Sequence, residues 1–209
     1  MITTDDLREA TDLATQTLSP HTGNDWSVKA GTLDWSCRDT LDHIISALMF
    51  YAGQIGTRAT SRRRRIRAGD PEARPEDLLE VLGTAAAVLS GSIDTMRPSE
   101  RAYHPAGMSD ASGFAAMAVD EVLVHTWDIA SGLGIRFGPD TPLVPRLVER
   151  LYPWAGFDPD PWAMLLWCNG RVRLGGREQL GADWSWWSRP LAEWDGAIHR
   201  RTTPPPTTP

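Results

Sequence analysis

The chain has 209 residues, a formal net charge of −6 and a sequence pI near 5.3, long enough to bury one sizeable core, alone or with an appendage. The acidic balance argues against a general nucleic-acid binder and fits a soluble cytoplasmic protein. No segment has the layout of a signal peptide or the apolar length of a membrane span, so no membrane partner is expected. Cys37 and Cys168 stand far apart without a Cys-x-x-Cys motif, which suits two free thiols in a reducing compartment. Lys29 is the only lysine beside abundant Arg, Ala, Gly and Pro, a bias of GC-rich genomes.

Thr3 to Leu18 reads as an amphipathic helix with Leu7, Ala10, Leu13, Ala14 and Leu18 on one side and Pro20 ending it. A Gly- and Asn-bearing linker, His21 to Leu33, follows. Ser36 with Asp39 three residues on is a capping-box pattern, so a second helix should run from about Cys37 to Arg58. Its apolar stripe is Leu41, Ile44, Ile45, Leu48, Ala52 and Ile55, with Trp35 anchoring the helix start by packing. Cys37 stands at that helix start, where a thiol pKa can be lowered, but nothing nearby in sequence supplies a base, and packing at the helix start is the favoured reading. The loop Ser61 to Gly69 carries five arginines between Arg62 and Arg67, either a solvated basic loop or an anion patch. Pro75 opens a third helix to about Met96. After a Pro/Gly/Ser break, a fourth runs from about Asp110 to Ser131 and ends near Gly132 and Gly134.

The remainder differs in character. Two short helices are expected at Thr141 to Tyr152 and Pro161 to Asn169, and Gly170 to Arg189 is rich in Gly and Trp with little periodicity. Seven of the ten tryptophans lie between Trp127 and Trp187. Such clusters usually cap a core, because an indole covers a large area while its N–H finds an acceptor. The segment is expected to pack over the open end of the helices and help wall a pocket at a metal held by those helices. Three regions follow: a bundle at 1–135, an extension packing on it at 136–200, and a disordered Pro/Thr tail at 201–209.

The fourth helix carries the chemistry. Phe114, Ala118, Glu121, His125 and Ile129 follow the spacing of a core-facing ridge. A carboxylate and an imidazole buried there cost several kcal/mol, roughly, unless each finds a partner. A buried Glu–His hydrogen bond would supply one, and a divalent metal would satisfy both at once. His43, in the second turn of the second helix, adds a third ligand candidate, and the set His43, Glu121 and His125 favours a mononuclear metal site. Asp128, one turn beyond His125, is placed either to orient that imidazole or to be solvated at the helix end. Zinc is the first choice of metal because nothing implies redox chemistry; Ni²⁺ or Fe²⁺ is permitted by the same ligands. Arg171 is a weaker candidate, for a substrate carboxylate. His104 and His199 have no partner at ligand spacing.

Trp35, Arg38, Asp39 and His43, followed by Glu121, His125 and Asp128, resemble the pattern of the DinB-like metalloprotein superfamily, and among its members the N-terminal domain of mycothiol-dependent maleylpyruvate isomerase. The resemblance covers roughly residues 1 to 135. It implies an all-α, DinB-like four-helix bundle with His43, Glu121 and His125 as the metal triad. It further implies a low-molecular-weight thiol of the mycothiol type as co-substrate, bound to the metal as thiolate and attacking an electrophilic substrate. The protein would then be a thiol-dependent transferase or isomerase. The extension is too short to be the full C-terminal domain of the isomerase itself, which puts that particular activity in doubt. The alternatives are a non-catalytic metal-binding sensor or interaction bundle, and a bundle whose Glu–His pair is structural. A homodimer is the candidate assembly.

Overall fold

The computed structural model describes residues 1–65, 70, 72–181, 183 and 185–198. Helix α1 spans Thr4–Leu18, α2 Cys37–Gly56, α3 Pro75–Asp94 and α4 Ala111–Gly132. Two shorter helices follow, α5 at Leu143–Leu151 and α6 at Pro161–Cys168. The helix starts have local chemical causes. The Ser36 hydroxyl accepts from the Asp39 amide at 3.0 Å and donates to the Asp39 carboxylate at 2.7 Å. Asp110 and Asp160 accept from the amides of Gly113 and Ala163 at 2.8 and 2.9 Å, opening α4 and α6. Each satisfies an amide that the first turn leaves without an intrahelical partner.

The first four helices form the bundle. α1 and α2 both pack against α4, and α3 packs against α2 and α1. The core is built by Leu7 and Leu18 of α1, Leu41, Ile44 and Leu48 of α2, Leu82 and Leu89 of α3, and Phe114, Met117 and Leu123 of α4, all essentially without exposure. Each such Leu, Ile, Phe or Met contributes about 1.5–3 kcal/mol by leaving water. α4 is buried almost throughout its length. It has neighbours on the far side too, since α5 packs on α4 and α6 packs on α5. That enclosure explains why polar groups on more than one face of α4 need internal partners.

The break before α4 contains a feature the periodicity did not signal. Ala102–His104 (β1) and Gly107–Ser109 (β2) pair as a small antiparallel hairpin. Its turn residues, Pro105 and Ala106, lack an Asn-Gly or Asp-Gly signature. The Tyr103 amide donates to the Ala59 carbonyl at 2.8 Å, fastening β1 to the end of the α2 region. The tail 201–209, His199, Trp184 and Arg67 lie outside the described residues.

One ion pair ties the chain start to the extension. Asp6 accepts from the Thr3 amide at 2.8 Å and from two nitrogens of Arg146 at 3.2 and 2.5 Å. Burial opposes the carboxylate, but the Arg146 and Thr3 bonds outweigh it and hold its pKa below the ordinary value of 3.8. A depressed carboxyl pKa gives stability that is present above the unfolded pKa and lost as pH falls through the folded one. Asp6→Asn should therefore cost about 1 kcal/mol at neutral pH, the low end for a charged bond because Arg146 is partly exposed. Chemical denaturation of both proteins from pH 7 to pH 2.5 checks this: the gap should close below pH ~4.

Candidate metal centre

α2 and α4 bring three sequence-distant side chains to one point. Nε2 of His43 lies 3.5 Å from Oε2 of Glu121, and Nε2 of His125 lies 3.3 Å from the same oxygen. One ligand atom from each of the three residues falls within 4.8 Å of the others. Contacts of 3.3 and 3.5 Å are long for charge-assisted hydrogen bonds, which run nearer ~2.8 Å. They match the separation between ligands about 2.1 Å from a common tetrahedral ion, which is roughly 3.4 Å. The donor set, two imidazole nitrogens and one carboxylate oxygen, suits Zn²⁺ and related divalent ions. The residues therefore fit a metal, and among the described residues no fourth His, Cys, Asp or Glu joins the group.

The two imidazoles are supported differently. His125 turns Nδ1 to the Asp128 carboxylate at 2.9 Å, where Nδ1–H donates to Asp128, and its Nε2 faces Glu121. Asp128 is fully buried and is itself gripped by Arg171, whose Nε and Nη2 donate to it at 3.1 and 2.8 Å. Burial disfavours a charged His125, yet the bond to Asp128 and the nearby Glu121 carboxylate prevail and raise its pKa to about 9. For His43 the balance reverses: burial lowers its pKa more than Glu121 raises it. Nδ1 of His43 has no hydrogen-bond partner among the described residues. What orients that ring is Trp35, whose indole lies 4.6 Å from the His43 ring and 6.2 Å from that of His125.

Trp35 thus does more than pack at a helix start. It is delivered by a folded loop in which the Ala30 amide donates to the Trp35 carbonyl at 2.9 Å and the Cys37 amide to the Val28 carbonyl at 2.8 Å. Glu121 has its own support. Its other oxygen, Oε1, accepts from the Tyr51 hydroxyl at 3.0 Å. Burial opposes the charge on Glu121, and the two imidazoles overcome it, holding the carboxyl well below its usual range. Tyr51 did not stand out in the sequence, though a trace of the signal was there: it lies two turns beyond His43 on the same helix.

Other candidates find different surroundings. Arg171 has its Nε and Nη2 on Asp128 and its Nη1 on the Asn169 carbonyl at 2.8 Å. Its guanidinium therefore serves the His125 support, and those donors are already engaged. Cys37 is fully buried with its thiol toward the Ile129 carbonyl at 3.6 Å. Burial, with the charges of Asp25 and Asp128, pushes its pKa up to about 11, so the thiol packs at the helix start and is not lowered by the helix N-terminus. His104 is buried between the rings of Tyr51 and Trp186, at 5.3 and 5.7 Å. In the basic loop, Arg62 to Arg64 are exposed while Arg65 is half-buried, its guanidinium 5.5 Å above the Phe50 ring. A cleft of about 510 Å³ lies away from the triad, between α5, α6 and Trp194, lined by Tyr152, Phe157 and Met164 among others. Among the described residues, the tryptophan ring beside the imidazoles is Trp35, not one from the extension.

Residues 7–130 match the family described as the mycothiol maleylpyruvate isomerase N-terminal domain, more than half of the chain. The chain belongs to that family. Its fold is accordingly the DinB-like, all-α bundle, and the match takes in His43, Glu121, His125 and Asp128. Arg171, Trp186 and the rest of the extension lie beyond it. No curated protein and no solved structure matches the chain. Among the described residues, no helix is long and apolar enough to cross a membrane.

Proposed function

We propose that the protein is a divalent-metal-dependent enzyme of the thiol-using transferase or isomerase type, with a mycothiol-like thiol as co-substrate and zinc as the metal. The observation that carries this reading is the pair of 3.3 and 3.5 Å approaches of two imidazole nitrogens to a single carboxylate oxygen. His43, Glu121 and His125 would hold the ion. Bound there, a divalent ion supplies a Lewis acid that lowers the pKa of a thiol or polarises a carbonyl at neutral pH.

The protein's own contribution is arrangement. Asp128 accepts the Nδ1 proton of His125 and so presents Nε2 as a ligand. Arg171 compensates the buried Asp128 charge, so the carboxylate stays ionised in that role. Trp35 shields one side of the imidazoles with an apolar ring, lowering the local dielectric where charge must develop. Neither cysteine competes as a nucleophile. Burial raises Cys168 as it does Cys37, so both thiols remain protonated at neutral pH.

Metal analysis of protein purified without a His tag or added metal is the first test, with about one equivalent of zinc or a similar ion expected. Incubating loaded protein with mycothiol and a panel of electrophiles is the second. A thiol conjugate or an isomerised product supports catalysis. Metal binding with no turnover on any member favours the sensor or interaction reading, and metal-free protein sinks both.

A further inference from the structure

The extension beyond the matched domain reaches the metal carboxylate by a path of its own. Asp120, one residue before Glu121, is 1% exposed and accepts from three groups of the extension. These are Nδ2 of Asn169 at 3.0 Å, Nε1 of Trp186 at 2.9 Å, and the Tyr152 hydroxyl at 3.3 Å. The bond to Asp120 fixes the Trp186 indole, which lies against His104 at 5.7 Å. His104 is also held from its own turn, where its Nδ1 accepts from the Ala106 amide at 3.1 Å. The His104 ring meets Tyr51 edge-on at 5.3 Å, and the Tyr51 hydroxyl ends the path on Oε1 of Glu121.

The two oxygens of Glu121 therefore have separate partners. Oε2 faces both imidazoles, and Oε1 faces a phenol. A carboxylate with both oxygens free can ligate through one or both of them. Using both would fill the position a substrate needs. A buried phenol donating to a carboxylate makes one of the stronger hydrogen bonds available.

We propose that Tyr51 is a positioning residue that reserves Oε1 and confines Glu121 to ligation through Oε2 alone, and that Trp186, acting through His104, keeps Tyr51 in place. This rests on the metal-centre reading above. It assigns the extension a role in shaping the coordination sphere in addition to covering the core.

The test uses full-length wild type, Tyr51→Phe, Trp186→Phe and Trp187→Phe. Two quantities are read: Zn²⁺ affinity by chelator competition, and the visible absorption of the Co²⁺-loaded protein, which weakens as coordination number rises. Trp187 is the control for lost aromatic burial, since it is as buried as Trp186 (4% against 6%) but donates to the Pro190 carbonyl. Tyr51→Phe should lower Zn²⁺ affinity by about 10-fold or more and weaken the Co²⁺ bands. Trp186→Phe should move the bands in the same direction to a smaller extent, while Trp187→Phe keeps the wild-type spectrum. Unchanged affinity and spectrum in Tyr51→Phe would overturn the inference while leaving the metal reading intact. A wild-type spectrum in Trp186→Phe would overturn the part assigned to the extension. Wild-type protein that takes up neither ion overturns the metal reading itself.

Discussion

His125→Ala is expected to abolish metal retention while the bundle stays folded. His125 supplies one of three donors within 4.8 Å of one another. Loss of a group that merely supports a ligand typically costs about 10–100-fold in metal affinity, and loss of the ligand itself costs more. The substitution also unbalances two buried carboxylates. Glu121 keeps Tyr51 but loses its closer imidazole, and Asp128 keeps Arg171 but loses its bond to Nδ1. Breaking buried ionic partnerships costs about 3–5 kcal/mol, and surviving partners place this case toward the lower figure. For a chain of this size that corresponds to a fall in Tm of roughly 6–12 °C. Metal content after dialysis and a thermal melt of the same sample check both parts. One equivalent of metal retained by His125→Ala would remove the triad from consideration.

Gly132→Ala should be the most damaging small change at the site's edge, with a loss of about 2 kcal/mol and a fall in Tm of roughly 4–8 °C. Gly132 is the last residue of α4, where a Cβ would come within 2.3 Å of the Lys29 carbonyl oxygen and 2.7 Å of the Cys37 sulfur. The nearest obstacle is backbone, which cannot rotate aside. Alanine improves helix propensity by about 1 kcal/mol over glycine, and overpacking of this severity outweighs that gain. The displaced segment is the loop that carries Trp35 and leads into the first turn of α2, so Zn²⁺ affinity should fall as well. Gly83→Ala in α3 is the matched control, since nothing lies within 4 Å of its added Cβ. It should stabilise by roughly 0.5–1 kcal/mol. Differential scanning calorimetry of the three proteins would decide. Equal Tm values for Gly132→Ala and wild type would show that the loop gives way freely.

The helical bundle was legible because its signals are local. Ser36 with Asp39, Pro75, and Asp110 ahead of an apolar run mark helix starts through chemistry within one turn. The ridge that carries Glu121 and His125 is likewise a property of one helix, so its inward placement could be read from spacing. His43 was readable as a candidate, and the approach of its Nε2 to Glu121 became visible only once α2 packed on α4. Gly134 shows the same contrast. Its φ of +70° after α4 is the stop that a glycine near a helix end signals. Gly132, two residues earlier, is required by the closeness of a distant loop, which no local pattern encodes.

What tertiary structure alone decided is everything that depends on contacts between distant segments. Cys37 looked like a thiol at a helix N-terminus, and burial against α4 raised its pKa instead, because desolvation outweighs a helix-end field. His104 sat in an unremarkable loop until the hairpin placed it between Tyr51 and Trp186. Arg171 was a candidate for a substrate carboxylate, and folding made it the partner of Asp128 across 43 residues of sequence. Asp120 was one polar residue in an apolar helix until three donors of the extension met on it. The sequence by itself determined the helices and nominated three candidate ligands, since periodicity and capping act within a few residues. The approach of both imidazoles to Glu121, the partners behind those side chains and the contacts of the extension with Asp120 arose only on folding, because a buried charge takes its partners from whatever the packed chain brings within hydrogen-bond distance.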